Sequence, residues 1–277
     1  MRSTAENAQL ALLLEVSSTP KPGNVDRARE HDDLRFEQFV AGAVGARQGL
    51  DWAATGEPIG DSFERAIEGM SDQRGGNTQF GAILLLMPLI RAAATDNITP
   101  EGATAVVEET TVDDASGFYS AFDHVGVAVD EPPETLDSPD VRLGSDAAPE
   151  LRERGMTLAD VMAESAEIDG VAAEYVEGFP RTFDAAERIL EREGAVTDRA
   201  AAAFLELLAE EIDTFVVTQH DRETAREVRD RAAAALAGEE RVEALAAEFV
   251  DRGINPGTTA DLIAGALFVA LERGLEV

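Results

Sequence analysis

Lys21 is the only lysine in a chain of 277 residues, and it stands between two prolines in TPKPGNVDR, Thr19 to Arg27. Prolines on both sides favour an extended backbone, and Gly23 permits close approach or a positive φ. A lysine held on so stiff a strip can offer a phosphate a compact cation with three donors. Asp26, Arg27, His31, Asp32 and Asp33 follow within one short span. Carboxylates at that density can bind Mg²⁺ together with phosphate oxygens, or act as a general base. The plain alternative is a solvated acidic loop with a histidine beside it.

Three more stretches place glycine or proline next to polar residues at helix starts. In RGGNTQFGAILLLMPL, Gly75 and Gly76 precede Asn77, Thr78 and an apolar helix, so backbone N–H groups can face an anion. No Gly-Lys-Ser/Thr follows, which excludes a Walker A loop. An ordinary glycine turn with an Asn or Thr cap fits the same residues. In EEIDTFVVTQHD, Asp213 and Thr214 end a helical run, and a continuous helix would carry Asp213 and His220 on roughly one face. In GINPGTTADLIAGALF, Asn255, Gly257, Thr258 and Thr259 open an apolar helix with Asp261 in its first turn. An aspartate there suits the helix dipole alone, and a cation between it and phosphates suits it as well. Glu174, before the Gly-Phe-Pro break at 178–180, is a further candidate for lining the site. Phe118, Tyr119 and Phe122 have helical spacing and read as core.

The elements that must position these residues are helical. Alanine-rich segments with apolar residues three and four apart recur at 6–16, 36–54, 62–70, 78–93, 157–175, 182–193, 199–215, 222–237, 241–251 and 259–273. Alternating β-branched runs are nearly absent, with 98–114 the one ambiguous patch. The expectation is an all-α, single-domain bundle of about ten or more helices spanning 1–277. Thr99-Pro100-Glu101 and Thr157 with Asp160 read as helix starts, and Gly194, Gly238, Gly253 and Gly274 as left-handed ends. The Pro- and acid-rich stretch 129–155 reads as a surface loop.

Composition narrows the partners. Lys plus Arg number 23 against 55 acidic residues, a net charge of −32. Such self-repulsion is relieved where the Debye length shrinks, to roughly 3 Å at 1 M salt, so the chain reads as halophilic. No basic cluster is present to neutralise a nucleic-acid backbone. Zero cysteines exclude a thiolate metal site and a disulfide framework. The run Leu10 to Val16 is short and lacks a basic leader, and Leu262 to Leu271 is too short to span a bilayer. A soluble cytoplasmic protein with neither nucleic-acid nor membrane partners, able to form a homodimer, is expected.

TPKPGNVDR, the HDD after it, GGNTQFGAILL, DTFVVTQHD and NPGTTADLIA resemble, in that order, the triphosphoribosyl-dephospho-CoA synthase family, over about residues 15–271. The resemblance implies an all-helical enzyme in which the 2′-hydroxyl of dephospho-CoA attacks C1′ of ATP, releasing adenine and retaining the triphosphate. ATP as substrate, Mg²⁺ and dephospho-CoA or a related acceptor follow from it. Lys21, Gly23, Asp26, Arg27, Gly75, Gly76, Asn77, Thr78, Thr214, His220, Asn255, Gly257 and Thr258 are then expected to bind the nucleotide. His31, Asp32, Asp33 and Glu174 would be catalytic, and Asp32, Asp33, Asp213 and Asp261 would hold the metal. Several basic positions of the bacterial members are replaced here, notably in GGNTQFG and after Thr214. A hydrolase or a transferase with another acceptor, and a non-catalytic helical nucleotide binder, are the alternative readings.

Overall fold

Two helices that are apolar all round, α5 (Phe80–Ala94) and α16 (Gly257–Glu272), occupy the centre, as an all-round apolar helix must. The computed structural model describes residues 2–129 and 136–277. Preceding α5 are α1 (Thr4–Ser17), α2 (Phe36–Gly45), α3 (Arg47–Thr55) and α4 (Ile59–Met70). After it come α6 (Pro100–Glu108), α7 (Val112–Ser120), α8 (Ala148–Arg154), α9 (Leu158–Ser165) and α10 (Gly170–Glu177). The remainder before α16 is α11 (Pro180–Glu191), α12 (Val196–Glu210), α13 (Thr214–Gln219), α14 (Arg222–Leu236) and α15 (Val242–Asp251). Two 3₁₀ segments, Ala121–Asp123 and Val141–Ala147, complete the described elements, and no strand occurs among them.

Helix α16 packs against α1, α5, α11 and α12, and α5 against α3, α4 and α6, so one apolar core runs from Ala5 to Leu275. Thr99, Thr111, Thr157, Asp169, Asp213 and Asp221 each cap a helix start with a side-chain oxygen. Gly194, Gly238, Gly253 and Gly274 all have positive φ, as expected of helix ends.

Where the sequence suggested long helices, three are divided. The pattern over 36–54 becomes α2 and α3; that over 157–175 breaks at the Asp169 cap; that over 199–215 breaks at the Asp213 cap. Apolar periodicity continues across each break because both halves face the same core. The ambiguous patch 98–114 contains α6 and the first residues of α7, with a turn at 109–111 between them. Residues 130–135 of the expected surface loop lie outside the described residues. Its later part is the 3₁₀ segment and α8, with Leu151 buried, since Pro149 occupies a first-turn position where its missing N–H is harmless. Among the described residues, no helix is long and apolar enough to cross a membrane.

Pro88 lies inside α5 and has no N–H for the carbonyl of Leu84, four residues earlier. The hydroxyl of Tyr175, on α10, donates to that carbonyl at 2.6 Å. Tyr175 is fully enclosed, and burial pushes its hydroxyl pKa well up, so it remains a donor throughout the physiological range. Tyr175→Phe therefore leaves a buried acceptor unmet and should cost about 1–3 kcal/mol. Urea unfolding in molar KCl reads this out, and an unchanged midpoint would refute the pairing as a stabilising contact.

Candidate active site

The segment after α1 folds around two buried charges. Lys21 is fully enclosed; its ammonium pairs with Glu15 of α1, donates to Asn24 Oδ1 at 2.7 Å and lies 5.8 Å from the centre of the Phe204 ring. Asp26, equally buried, accepts from the Thr19 hydroxyl and the Ala28 N–H, each at 2.7 Å. Asn24 then donates to Asn255 Oδ1 at 2.8 Å, which ties the segment to the turn before α16. Gly23 (φ 79°) is required there, because a Cβ would fall 2.5 Å from the Ile254 carbonyl oxygen.

The starts of four helices meet beyond that turn. Asp213 accepts from Val216 N–H at 3.1 Å with one oxygen, and from Thr259 N–H and Oγ1, both at 2.7 Å, with the other. One carboxylate thus caps α13 and α16 together. Thr214 Oγ1 accepts from Gly170 N–H at 3.0 Å and bonds Thr258 Oγ1 at 3.0 Å, so α10 joins the same knot. Asp169 caps α10 through Ala172 N–H at 2.8 Å. Asp261 closes the group onto α5. Its Oδ2 would lie 2.1 Å from a Cβ on Gly81, in the first turn of that helix, where the Ala82 N–H favours its charged form.

Four carboxylates therefore share one neighbourhood. Crowding by protein, then the like charges of Glu15, Asp213 and Asp169, push Asp261 well above the ordinary carboxylate range, against the pull of Ala82 N–H. Burial raises Glu15 despite Lys21, and raises Asp213 despite the Thr259 donors. Asp169 is open to solvent at the rim yet walled by protein; desolvation raises it, opposed by the Ala172 and Val171 N–H groups and by Arg181. Of the four, Asp261 is half-buried and Asp169 exposed, while Glu15 and Asp213 are buried and engaged.

Donors lie on the loop before α5. Among the described residues the N–H groups of Gly76, Asn77 and Thr78 meet no acceptor, and Thr78 Oγ1 is buried without a partner. Asn77 turns its side chain to Phe80 N–H at 3.1 Å and begins the helix, while Gly75 N–H is taken by Gln73. Arg74 is exposed and forms no ion pair among the described residues. A cavity of about 260 Å³, lined in part by Asp213, opens between α11, α12 and α16.

Several expected roles change in this geometry. Lys21 cannot reach a phosphate, because its donors face inward to Glu15 and Asn24. Glu174 is not a free catalytic acid: it is buried and accepts from Arg181 Nε at 2.9 Å and Thr182 N–H at 3.0 Å, fastening α11. His31 bonds the Gly23 carbonyl at 2.8 Å through Nε2, and His220, at the surface, bonds the Gly253 carbonyl at 3.1 Å. Arg27 reaches back to the Ser17 carbonyl at 3.0 Å. Gly257 packs under Phe215.

Asp32 and Asp33 are exposed, Asp213 is saturated, and no three His, Asp or Glu side chains among the described residues are arranged to hold a metal. The four-aspartate magnesium set is thus not assembled. Glu15, Asn24, Asp169 and Arg181 escaped the sequence reading. A carboxylate within the apolar run LALLLEV and an aspartate just before GVAAEYV were the available signals.

A sequence model of the family described as ATP:dephospho-CoA triphosphoribosyl transferase matches residues 1–276. Among solved structures, the chain is similar to one from Archaeoglobus fulgidus described as a candidate triphosphoribosyl-dephospho-CoA synthase. The TM-score is 0.72 and the identity 28%, over 87% of this chain and 100% of that one. Comparison with curated proteins finds no match.

The strain at Asp261 gives a signed expectation. Its folded pKa lies above the ordinary 3.8, so its contribution to stability is fully present below that value and is lost as pH rises through the folded pKa. Asp261→Asn should therefore raise Tm at pH 8, by roughly 2–4 °C for each kcal/mol of repulsion relieved, with the gain fading towards pH 4. Asp72→Asn, on the surface, controls for general charge removal; equal gains in the two variants would remove the cluster from the explanation.

Proposed function

The chain belongs to the ATP:dephospho-CoA triphosphoribosyl transferase family, and from that premise we propose that it moves the 5-triphosphoribosyl group of ATP to the 2′-hydroxyl of dephospho-CoA and releases adenine. In that transfer the C1′–N bond breaks with its electron pair going to the base, which takes up one proton. The acceptor oxygen forms the new C1′–O bond and gives up one proton. A sugar centre with oxocarbenium character needs nearby negative charge, and a triphosphate needs donors. The observation that carries the reading is that both are present: solvent-reachable Asp261 and Asp169 among the helix starts, and unmet N–H groups at 76–78 with unpaired Arg74 on the loop before α5, whose first turn Asp261 lies against.

In this reading Asp261 and Asp169 face the ribose, and the loop at Arg74–Thr78 takes the triphosphate. Lys21, Asp26, Asp213 and Glu174 act through others, by fixing α1, α16, α13 and α11 around the site. Asp169, with one oxygen held by α10 and a rim position, is placed to accept the acceptor's proton. Magnesium then belongs to the substrate, chelated by the triphosphate. The medium suited to this chemistry is molar KCl, which screens the net charge of −32.

Mass analysis after incubation with ATP, Mg²⁺ and dephospho-CoA in 2 M KCl should show adenine and a triphosphoribosylated acceptor in equal amounts. Adenine released at the same rate without acceptor would replace the transferase with a hydrolase. Arg74→Ala should raise the KM for ATP by roughly tenfold or more, the worth of a charge-assisted hydrogen bond to phosphate, with little change in unfolding midpoint. An unchanged KM would remove Arg74 from the triphosphate site.

A further inference from the structure

The cavity behind Asp213 is not needed for the helix knot, yet it shares Asp213, Thr258 and Thr259 with it. At about 260 Å³ it is smaller than the ~300–1,000 Å³ of sites that engulf whole drug-sized ligands, so it suits one part of a nucleotide. Its apolar lining comes from Leu207 at the end of α12, Ile212 in the following turn and Leu262 of α16. Its rim is acidic: Glu177, Asp184, Glu210 and Glu211. The lining cation, Arg181, is already engaged by Glu174, by Glu211 at 3.0 Å and by the Gly170 carbonyl at 2.5 Å. Glu177 has no partner among the described residues.

We propose that this cavity receives the purine base of ATP and holds it as it departs. The inference rests on the transferase reading. Charge excludes the alternatives within the same substrate: a triphosphate would meet the four rim carboxylates and Asp213, while the neighbouring cations are already committed, Arg181 to Glu174 and Glu211 and Arg188 to Asp184 and Glu210. Position excludes the acceptor's pantetheine arm, which a pyrophosphate separates from the reacting 2′-hydroxyl, whereas the base is bonded directly to C1′. With the ribose beside Asp261, its base lies one bond from the reacting carbon, and the cavity is lined by Asp213 and by Thr259 and Leu262, the residues two before and one after Asp261 on α16. The lining chemistry agrees. Aliphatic side chains can pack on the faces of a planar ring, and a free carboxylate such as Glu177 can accept from an exocyclic amino group. The surplus of negative charge also favours the base in its protonated form, the form that leaves most readily.

The test is equilibrium dialysis of free adenine, and separately of tripolyphosphate, against the whole protein in 2 M KCl. Ile212→Trp fills the cavity from a half-buried turn, and Glu177→Arg places a cation on its exposed rim. Adenine binding should weaken at least tenfold in the first and about threefold in the second, with tripolyphosphate binding unchanged or, for Glu177→Arg, tighter. Should Ile212→Trp fail to fold, the surface variant alone decides. Adenine affinity unaltered in the folded variants, absence of adenine binding to the unaltered protein, or displacement of adenine by pantetheine would each overturn the assignment. These failures are distinct from failure of the parent reading, which is judged by adenine release from ATP in the unaltered protein.

Discussion

Four carboxylates that repel one another are kept together because helix starts hold three of them and Lys21 holds the fourth, Glu15. Asp213 takes N–H groups at the starts of α13 and α16, Asp169 takes one at the start of α10, and Asp261 lies against the first turn of α5. Each helix presents a partial positive end and unmet donors, which together offset much of the negative charge. The offset is incomplete, since all four groups remain raised above their ordinary pKa values. In a protein of net charge −32 the packing of α5, α10, α13 and α16 thus serves two ends: it buries the core and it concentrates charge where the surrounding field is least favourable. Local electrostatic strain of this kind is typical of sites that do chemistry rather than of cores chosen for stability.

Lys21 shows why a chain that avoids lysine retains one here. The enclosed space offers Glu15, Asn24 Oδ1 and the face of Phe204, a set that suits a compact ammonium with three donors. Arginine would bring a planar fork with five donors, more than these partners satisfy, and buried unmet donors are costly. Removing the charge would strand Glu15, and breaking a buried pair on one side typically costs about 3–5 kcal/mol. The pair also fixes geometry: through Asn24 and Asn255 it sets the segment before α16, and hence the position of Asp261.

The all-α class was plain from apolar spacing, as were the caps at Thr99 and Thr157 and the four left-handed glycine ends, whereas Asp213 read as a helix end and caps a start instead. The blocks that meet in space were likewise visible, because glycine and proline mark the turns where backbones approach. The function of individual polar residues was not. Lys21, Asp26, Glu174 and His31 have the types that bind substrate, and their use here is to brace other segments. Sequence spacing shows that a polar group is near a turn but not which way it faces, and at Asp213 both oxygens are consumed by helix ends forty-six and three residues away. Asp169 was missed for the converse reason. As an N-cap it satisfies a local rule so well that nothing in the string distinguishes it from Thr99 or Asp221.

A chain this acidic has little cationic surface to spend on a polyanionic substrate, and its charges are zoned accordingly. Most arginines are committed to ion pairs, as in the Arg231, Arg252, Glu227 and Glu248 cluster flanking Phe249. The backbone N–H groups at 76–78, left without an acceptor among the described residues, carry no formal charge and need no counter-ion. Backbone recognition of this kind lets the protein keep its acidic surface and still address an anion.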